Sequence, residues 1–254
     1  MDIILYNIGS VIVLLIFGYL FGSIPNAVWI GKIFFHKDPR DYGSGNAGAT
    51  NAGRVFGKKI GFLIIVLDSL KMIIPIYVAW IILIKAPINN GAPLMNTIVE
   101  KYVYGINDAV IKWPVYWITA IGCSLGHCFP IFADFRGGKN ASSHFGLTLA
   151  ASWLICFGPG ILYLVLLKAK KYVSLASILS SWLAVIISWT WAILILTGVI
   201  NGSTVWLICY GPALECDYVL AIIITFSAGL LTYQHRGNIQ RLRDGNERKI
   251  TWMK

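Results

Sequence analysis

At 254 residues, 57% of them apolar and only 13% charged, this chain is excluded from the soluble globular class, whose members average about a quarter charged residues. A mean hydropathy of +0.71, with 21 Lys and Arg against 11 Asp and Glu, describes a basic integral membrane protein in which the placement of the cations matters more than their number. The five cysteines (Cys123, Cys128, Cys156, Cys209, Cys216) show no CxxC pair and no metal-ligand spacing. They read as small core residues, with a disulfide between Cys209 and Cys216 left open, and no metal or organic cofactor is expected.

A membrane span needs roughly 20 apolar residues, or fewer inside a bundle. The first candidate covers 4–35, with a kink or break at Gly22-Ser23-Ile24-Pro25. It lacks a cationic leader and a small-residue cleavage site, so it reads as a retained helix, not a signal peptide. Next comes 41–59, DYGSGNAGATNAGRVFGKK. Its glycines (Gly43, Gly45, Gly48, Gly53, Gly57) alternate with Ser44, Asn46, Thr50 and Asn51, and Arg54, Lys58 and Lys59 follow. With no apolar face to bury, this run is expected to be a loop, neither helix nor strand. Glycine lets backbone N–H groups approach a ligand, and Arg54 offers a planar fork suited to phosphate.

Further candidates cover 60–84, 115–132 and 140–157. Gly158-Pro159-Gly160 is expected to break the chain before a short fifth span at 161–167. The sixth is 173–200 and the seventh 218–233. Asp68 and Lys71, three apart within the second span, read as a mutually neutralising structural pair.

Seven spans with the N-terminus outside place 17 cations in inner loops (32–59, 133–139, 168–171, 236–254) and leave only Lys85, Lys101 and Lys112 outside. That is the distribution the positive-inside rule requires. The polar stretches then all reach the cytoplasmic face, as an enzyme meeting a lipid and a soluble substrate at one interface would need. No internal repeat of the transporter kind is evident.

A second glycine-and-cation cluster, Phe135-Arg136-Gly137-Gly138-Lys139-Asn140, opens the fourth span, where a helix N-terminus favours an anion. Lys168-Ala-Lys-Lys171 precedes Ser174 and Ser177 in the first turn of the sixth span. His235 and Asn238 share one helix face at the end of the seventh. Arg241 and Arg243 beyond them read as a solvated or headgroup-binding tail.

GSGNAGATN (43–51) with Arg54, GHCFPIFADFRGGK (126–139), KYVSLAS (171–177) and HRGNIQRL (235–242) together resemble the acyl-phosphate:glycerol-3-phosphate acyltransferase family. The resemblance spans nearly the whole chain. It implies an all-α, seven-transmembrane-helix bundle forming a single domain over 1–254 in the bacterial plasma membrane, its site facing the cytoplasm. It implies acyl transfer from acyl phosphate to the 1-hydroxyl of sn-glycerol 3-phosphate, giving lysophosphatidic acid and phosphate with no dedicated protein base. It also implies functional coupling to an enzyme that makes acyl phosphate, and gives no sign of nucleic acid as a partner. On the matching positions, Ser44, Arg54, Lys139, His235 and Asn238 would form the centre of the site. Gly43, Gly45, Asn46, Gly48, Thr50, Asn51, Gly137, Gly138, Ser174 and Ser177 would cradle substrate, and His127 would support the loop.

The chain departs from the family pattern at Arg136 and Asn140, where Lys-Gly-Gly-Lys-Gly is usual, and at Met72, where glycine is common. Two rivals stand beside this reading. His36-Lys-Asp-Pro-Arg-Asp41 matches the HxxxxD pattern of another glycerolipid acyltransferase family, although Pro39 disfavours its geometry. A small-anion transporter or lipid-binding membrane protein is the second.

Overall fold

The computed structural model describes residues 2–85, 115–200 and 218–250. Among them the regular elements are helices: α1 (Asp2–Gly22), α2 (Asn26–Phe35), α3 (Ala49–Phe56), α4 (Lys58–Trp80), α5 (Ile118–Cys128), α6 (Ala141–Ala151), α7 (Trp153–Lys170), α8 (Val173–Leu196), α9 (Tyr218–Gln234) and α10 (Arg236–Arg243). Five segments are long and apolar enough to cross a membrane, or six if α9 and α10 are taken together across their 58° bend. α6, at 11 residues, is too short to count by length.

α1 and α2 part where expected, at Ser23-Ile24-Pro25. Pro25 contributes no N–H, while its carbonyl accepts from Val28 and Trp29 at 2.9 and 3.0 Å to start α2. Two expectations are corrected. Gly158-Pro159-Gly160 does not break the chain, because α7 runs through it. The break is Ser152, extended at φ −160° and ψ 136°, whose Oγ accepts from the N–H groups of Leu154 and Ile155. Pro159 removes one backbone hydrogen bond, which a packed membrane helix tolerates, whereas a serine hydroxyl satisfies two orphan donors at a helix start. The second correction is α3, inside the run expected to be all loop. Its buried face is built from small residues, Ala49 and Ala52, and packs with Ala27 and Ile64. No large apolar stripe is required for that.

Close packing organises the bundle. α1 lies against α5 through Gly18 and Gly22 on one helix and Gly122 and Gly126 on the other. A Cβ on any of these four would collide with backbone of the opposite helix. Small residues four apart on both helices allow such an approach where the bilayer supplies no hydrophobic drive between helices. α4 packs on α6, α7 on α8 and α8 on α9, around a core that includes Met72, Ile76, Trp117, Leu147, Ile155 and Ile224. Cys123, Cys128 and Cys156 are buried and free. Cys209 and Cys216, and residues 86–114 and 201–217 as a whole, lie outside the described residues.

Asp68 and Lys71 form the expected pair, 3.2 Å apart and both buried. Asn26 Nδ2 donates to Asp68 Oδ1 at 2.9 Å, and Lys71 Nζ to the Ile24 carbonyl at 2.8 Å. The pair therefore fastens the break between α1 and α2 to α4, which carries the first glycine-rich loop at its other end.

Candidate active site

The first glycine-rich loop winds around one side chain. Asn51, 2% exposed, accepts from Ser44 N–H at 2.7 Å and donates to the carbonyls of Pro39, Asn46 and Tyr42 at 2.7, 2.9 and 3.1 Å. Gly43 and Gly45 have φ of 64° and 70°, and a Cβ on Gly43 would overlap Asn51 Oδ1. Only glycine meets both demands at Gly43 without strain. Arg40 anchors the loop from behind. Its guanidinium pairs with Asp38 at 2.8 Å and donates to the Ala133 carbonyl at 2.7 Å. Partial burial opposes ionisation of Asp38, yet the Arg40 hydrogen bonds and charge prevail and lower its pKa to about 2.

The second loop uses glycine differently. Gly137 and Gly138 donate to the carbonyls of Cys128 and His127 at 3.2 and 3.0 Å. A Cβ on Gly137 would strike the His127 carbonyl, and one on Gly138 the His127 ring. Asn140, fully buried, takes φ 65° before α6 and donates from Nδ2 to Ser227 Oγ at 2.9 Å. Glycine adopts this left-handed backbone freely, and asparagine tolerates it better than most larger residues.

The third component comes from the end of the chain. α9 gives way to α10 at His235, whose Nδ1 lies 2.8 Å from the Leu231 carbonyl. A carbonyl only accepts, so Nδ1 carries the proton and Nε2 is left for other partners. Asn238 Oδ1 accepts from Lys139 Nζ at 2.5 Å. Beyond α10 the chain folds back. Glu247 accepts from Asn238 Nδ2, Ser174 Oγ and Arg241 Nε at 2.7, 2.8 and 2.9 Å, and Arg248 donates to the Gly43 carbonyl at 3.1 Å.

These pieces enclose a cavity of about 660 Å³. Ser44, Arg54, Lys139, His235 and Asn238 all line it, as do Gly43, Asn46, Gly48, Thr50, Asn51, Ser174 and Ser177. Gly45, Gly137 and Gly138 do not; the last two pack against His127. Arg241, expected in a solvated or headgroup-binding tail, stays exposed but also borders the cavity through its pairing with Glu247. Glu247 and Arg248 escaped sequence reasoning. The available signal was one of few acids in a basic tail, which names no partner by itself. His36, in a left-handed backbone at the end of α2, is exposed and outside the cavity.

Four cations, Arg54, Lys139, Arg241 and Arg248, face a single carboxylate, Glu247. Burial and then the charge of Arg241 lower the Lys139 pKa to about 8. Partial burial and the neighbouring Arg248 lower that of Arg54. Partial burial disfavours ionised Glu247, but its hydrogen bonds from Asn238, Ser174 and Arg241 prevail and hold it below the usual range. The crowded cations thus favour an anionic guest. Away from them the walls turn apolar, with Phe62, Phe157, Ile161 and Leu164 also exposed on the molecule's outer surface. The arrangement can receive a phosphate-bearing head at one end and an apolar tail at the other.

The family model for glycerol-3-phosphate acyltransferase matches residues 12–245. A glycerol-3-phosphate acyltransferase of Listeria monocytogenes serotype 4a (strain HCC23) is 34% identical over 96% of this chain and 98% of its own length. One from Staphylococcus aureus (strain bovine RF122 / ET3-1) is 32% identical over 96% and 99%. Two crystal structures of PlsY (YgiH), an integral membrane glycerol 3-phosphate acyltransferase, superpose with a TM-score of 0.66 over 95% of this chain and 96% of theirs. The lysophosphatidic acid form is 29% identical and the glycerol 3-phosphate form 31%.

Proposed function

Since the chain belongs to the glycerol-3-phosphate acyltransferase family, we propose that it transfers an acyl group from acyl phosphate to the 1-hydroxyl of sn-glycerol 3-phosphate, releasing lysophosphatidic acid and phosphate. The observation that carries this reading is the gathering of Ser44, Arg54, Lys139, His235 and Asn238, from three distant stretches of sequence, in one cavity whose lining combines four cations with apolar side chains.

The 1-hydroxyl oxygen attacks the acyl carbonyl, the bond from that carbon to the phosphate oxygen breaks, and the hydroxyl proton passes to a phosphate oxygen. Phosphate is already a good leaving group, so the protein's task is to position two anions and spread their charge. Arg54 and Lys139 hold phosphate. His235 and Asn238 orient the glycerol phosphate, with Asn238 fixed between Lys139 and Glu247. Ser44, Thr50, Ser174 and Ser177 supply hydroxyl donors, and the apolar walls receive the acyl chain. Support for the wider setting comes from the cation distribution: seven spans, N-terminus outside, C-terminus and cavity facing the cytoplasm of a bacterial cell. A donor this labile calls for a nearby enzyme that phosphorylates or phosphorolyses acyl groups.

The test is formation of lysophosphatidic acid by the purified protein from glycerol 3-phosphate with acyl phosphate, acyl-CoA or acyl-carrier protein as donor, with phosphate release followed for the acyl phosphate reaction. Product formation that requires glycerol 3-phosphate and occurs with acyl phosphate but with neither thioester supports the reading. Transfer from a thioester with none from acyl phosphate overturns it.

A further inference from the structure

Beside the second loop lies a small void of about 10 Å³, lined by Asp68, Lys71, His127, Gly137 and Gly138 among others. That is the size of one water molecule. Two buried polar atoms near it lack protein partners, Asp68 Oδ2 and His127 Nδ1. His127 Nδ1 stands 3.9 Å from Asp68 Oδ1, too far for a direct hydrogen bond and suited to one bridging water. Both residues are at least nine-tenths buried, at 2% and 5% exposure. An unsatisfied polar atom in such a place costs roughly as much as a lost hydrogen bond, so a water with several partners there is strongly favoured.

We propose that a single water in this void joins Asp68 to His127 Nδ1, and that His127 is thereby a positioning residue for Lys139. The mechanical link is short. The His127 ring lies directly under Gly138, its carbonyl accepts the Gly138 N–H at 3.0 Å, and Lys139 is the next residue. A ring free to turn about χ2 presents a changed surface to Gly138, and the Lys139 ammonium moves with it. Asp68 is itself immobilised by Asn26 and Lys71, so the loop is referenced through one water to the buried ion pair of α4. The inference rests on the reading of Lys139 as a phosphate ligand.

The test compares His127→Asn, His127→Gln and His127→Leu in the full-length protein. Asparagine overlays its amide on the Nδ1 position; glutamine places it near Nε2. Glutamine thus keeps an amide beneath Gly138 and gives up the water, asparagine keeps a partner for the water and gives up the ring atoms beneath Gly138, and leucine gives up both. Because the link needs both contacts, each variant is expected to raise KM for glycerol 3-phosphate about tenfold with kcat within about threefold. Should Leu fail to fold, the Asn and Gln pair decides. A parent-like KM in Gln, or a fall in kcat at constant KM, overturns the proposal. Lys139→Ala measured alongside separates the two levels. If it leaves KM and kcat unchanged, the reading of Lys139 falls; if it abolishes activity while His127→Gln behaves as parent, only the water bridge falls.

Discussion

The two glycine-and-cation loops look alike as sequence and work by different physics. In the first, glycines at positive φ let the backbone curl around the Asn51 amide, and its cation, Arg54, rides on the short helix α3. In the second, glycine serves close approach: Gly137 and Gly138 lie flat against the end of α5, and Lys139 extends from that platform towards Asn238. Composition alone therefore marks a glycine-and-cation segment without saying whether its glycines are there for curvature or for contact.

The largest expected effect comes from removing either cation. Lys139→Ala and Arg54→Ala should each lower kcat/KM about 100-fold or more, with unchanged thermal unfolding. Lys139→Ala should be the worse, because it also releases Asn238. Next comes the contrast in glycines. Gly138→Ala must displace the His127 ring and should raise KM for glycerol 3-phosphate at least about tenfold. Gly45→Ala, with only the Arg40 carbonyl at 3.5 Å but φ of 70°, should cost about 1–2 kcal/mol of stability and leave KM nearly unchanged. Equal KM effects from the two alanines would erase the distinction between contact and curvature.

The pH profile sharpens the same comparison. With its pKa lowered to about 8, Lys139 in the free enzyme loses its charge as pH rises through that value. Below it the cation is present. The kcat/KM for glycerol 3-phosphate should therefore fall above about pH 8, by up to tenfold per unit. Lys139→Arg, fixed in its charge, should shift or remove that limb even if its absolute rate is lower. The smallest effect is expected at the decoy motif: His36→Ala should stay within about twofold of the parent in the phosphate-release assay, since His36 is exposed and outside the cavity.

Local chemistry explains what was legible beforehand. Long apolar runs, the break at Pro25 and the Asp68 and Lys71 pair announce themselves through residue type and spacing, and the family resemblance singled out the five residues that converge on the cavity. The break at Ser152 did not, because a helix boundary in a membrane depends on which residue finds an orphan N–H to cap, and Gly-Pro-Gly is the louder local signal. α3 was hidden because it is only eight residues long, holds a glycine, and buries Ala49, Asn51 and Ala52 instead of large apolar side chains. Glu247 and Arg248 were hidden because their partners, Asn238, Ser174, Arg241 and Gly43, lie up to 205 positions away.

The amino-acid order by itself determined that the chain is a helical membrane protein of this acyltransferase family and which glycine-rich and cationic stretches could contribute to one site, since burial of apolar runs and the backbone freedom of glycine act within a few residues. Only the tertiary structure decided that Glu247 gathers Asn238, Ser174 and Arg241 at the cation cluster and that Gly138 rests on His127. Ser174 lies 73 positions from Glu247, and even the nearer pairs meet only because the chain folds back after α10 and the second loop lies against the end of α5.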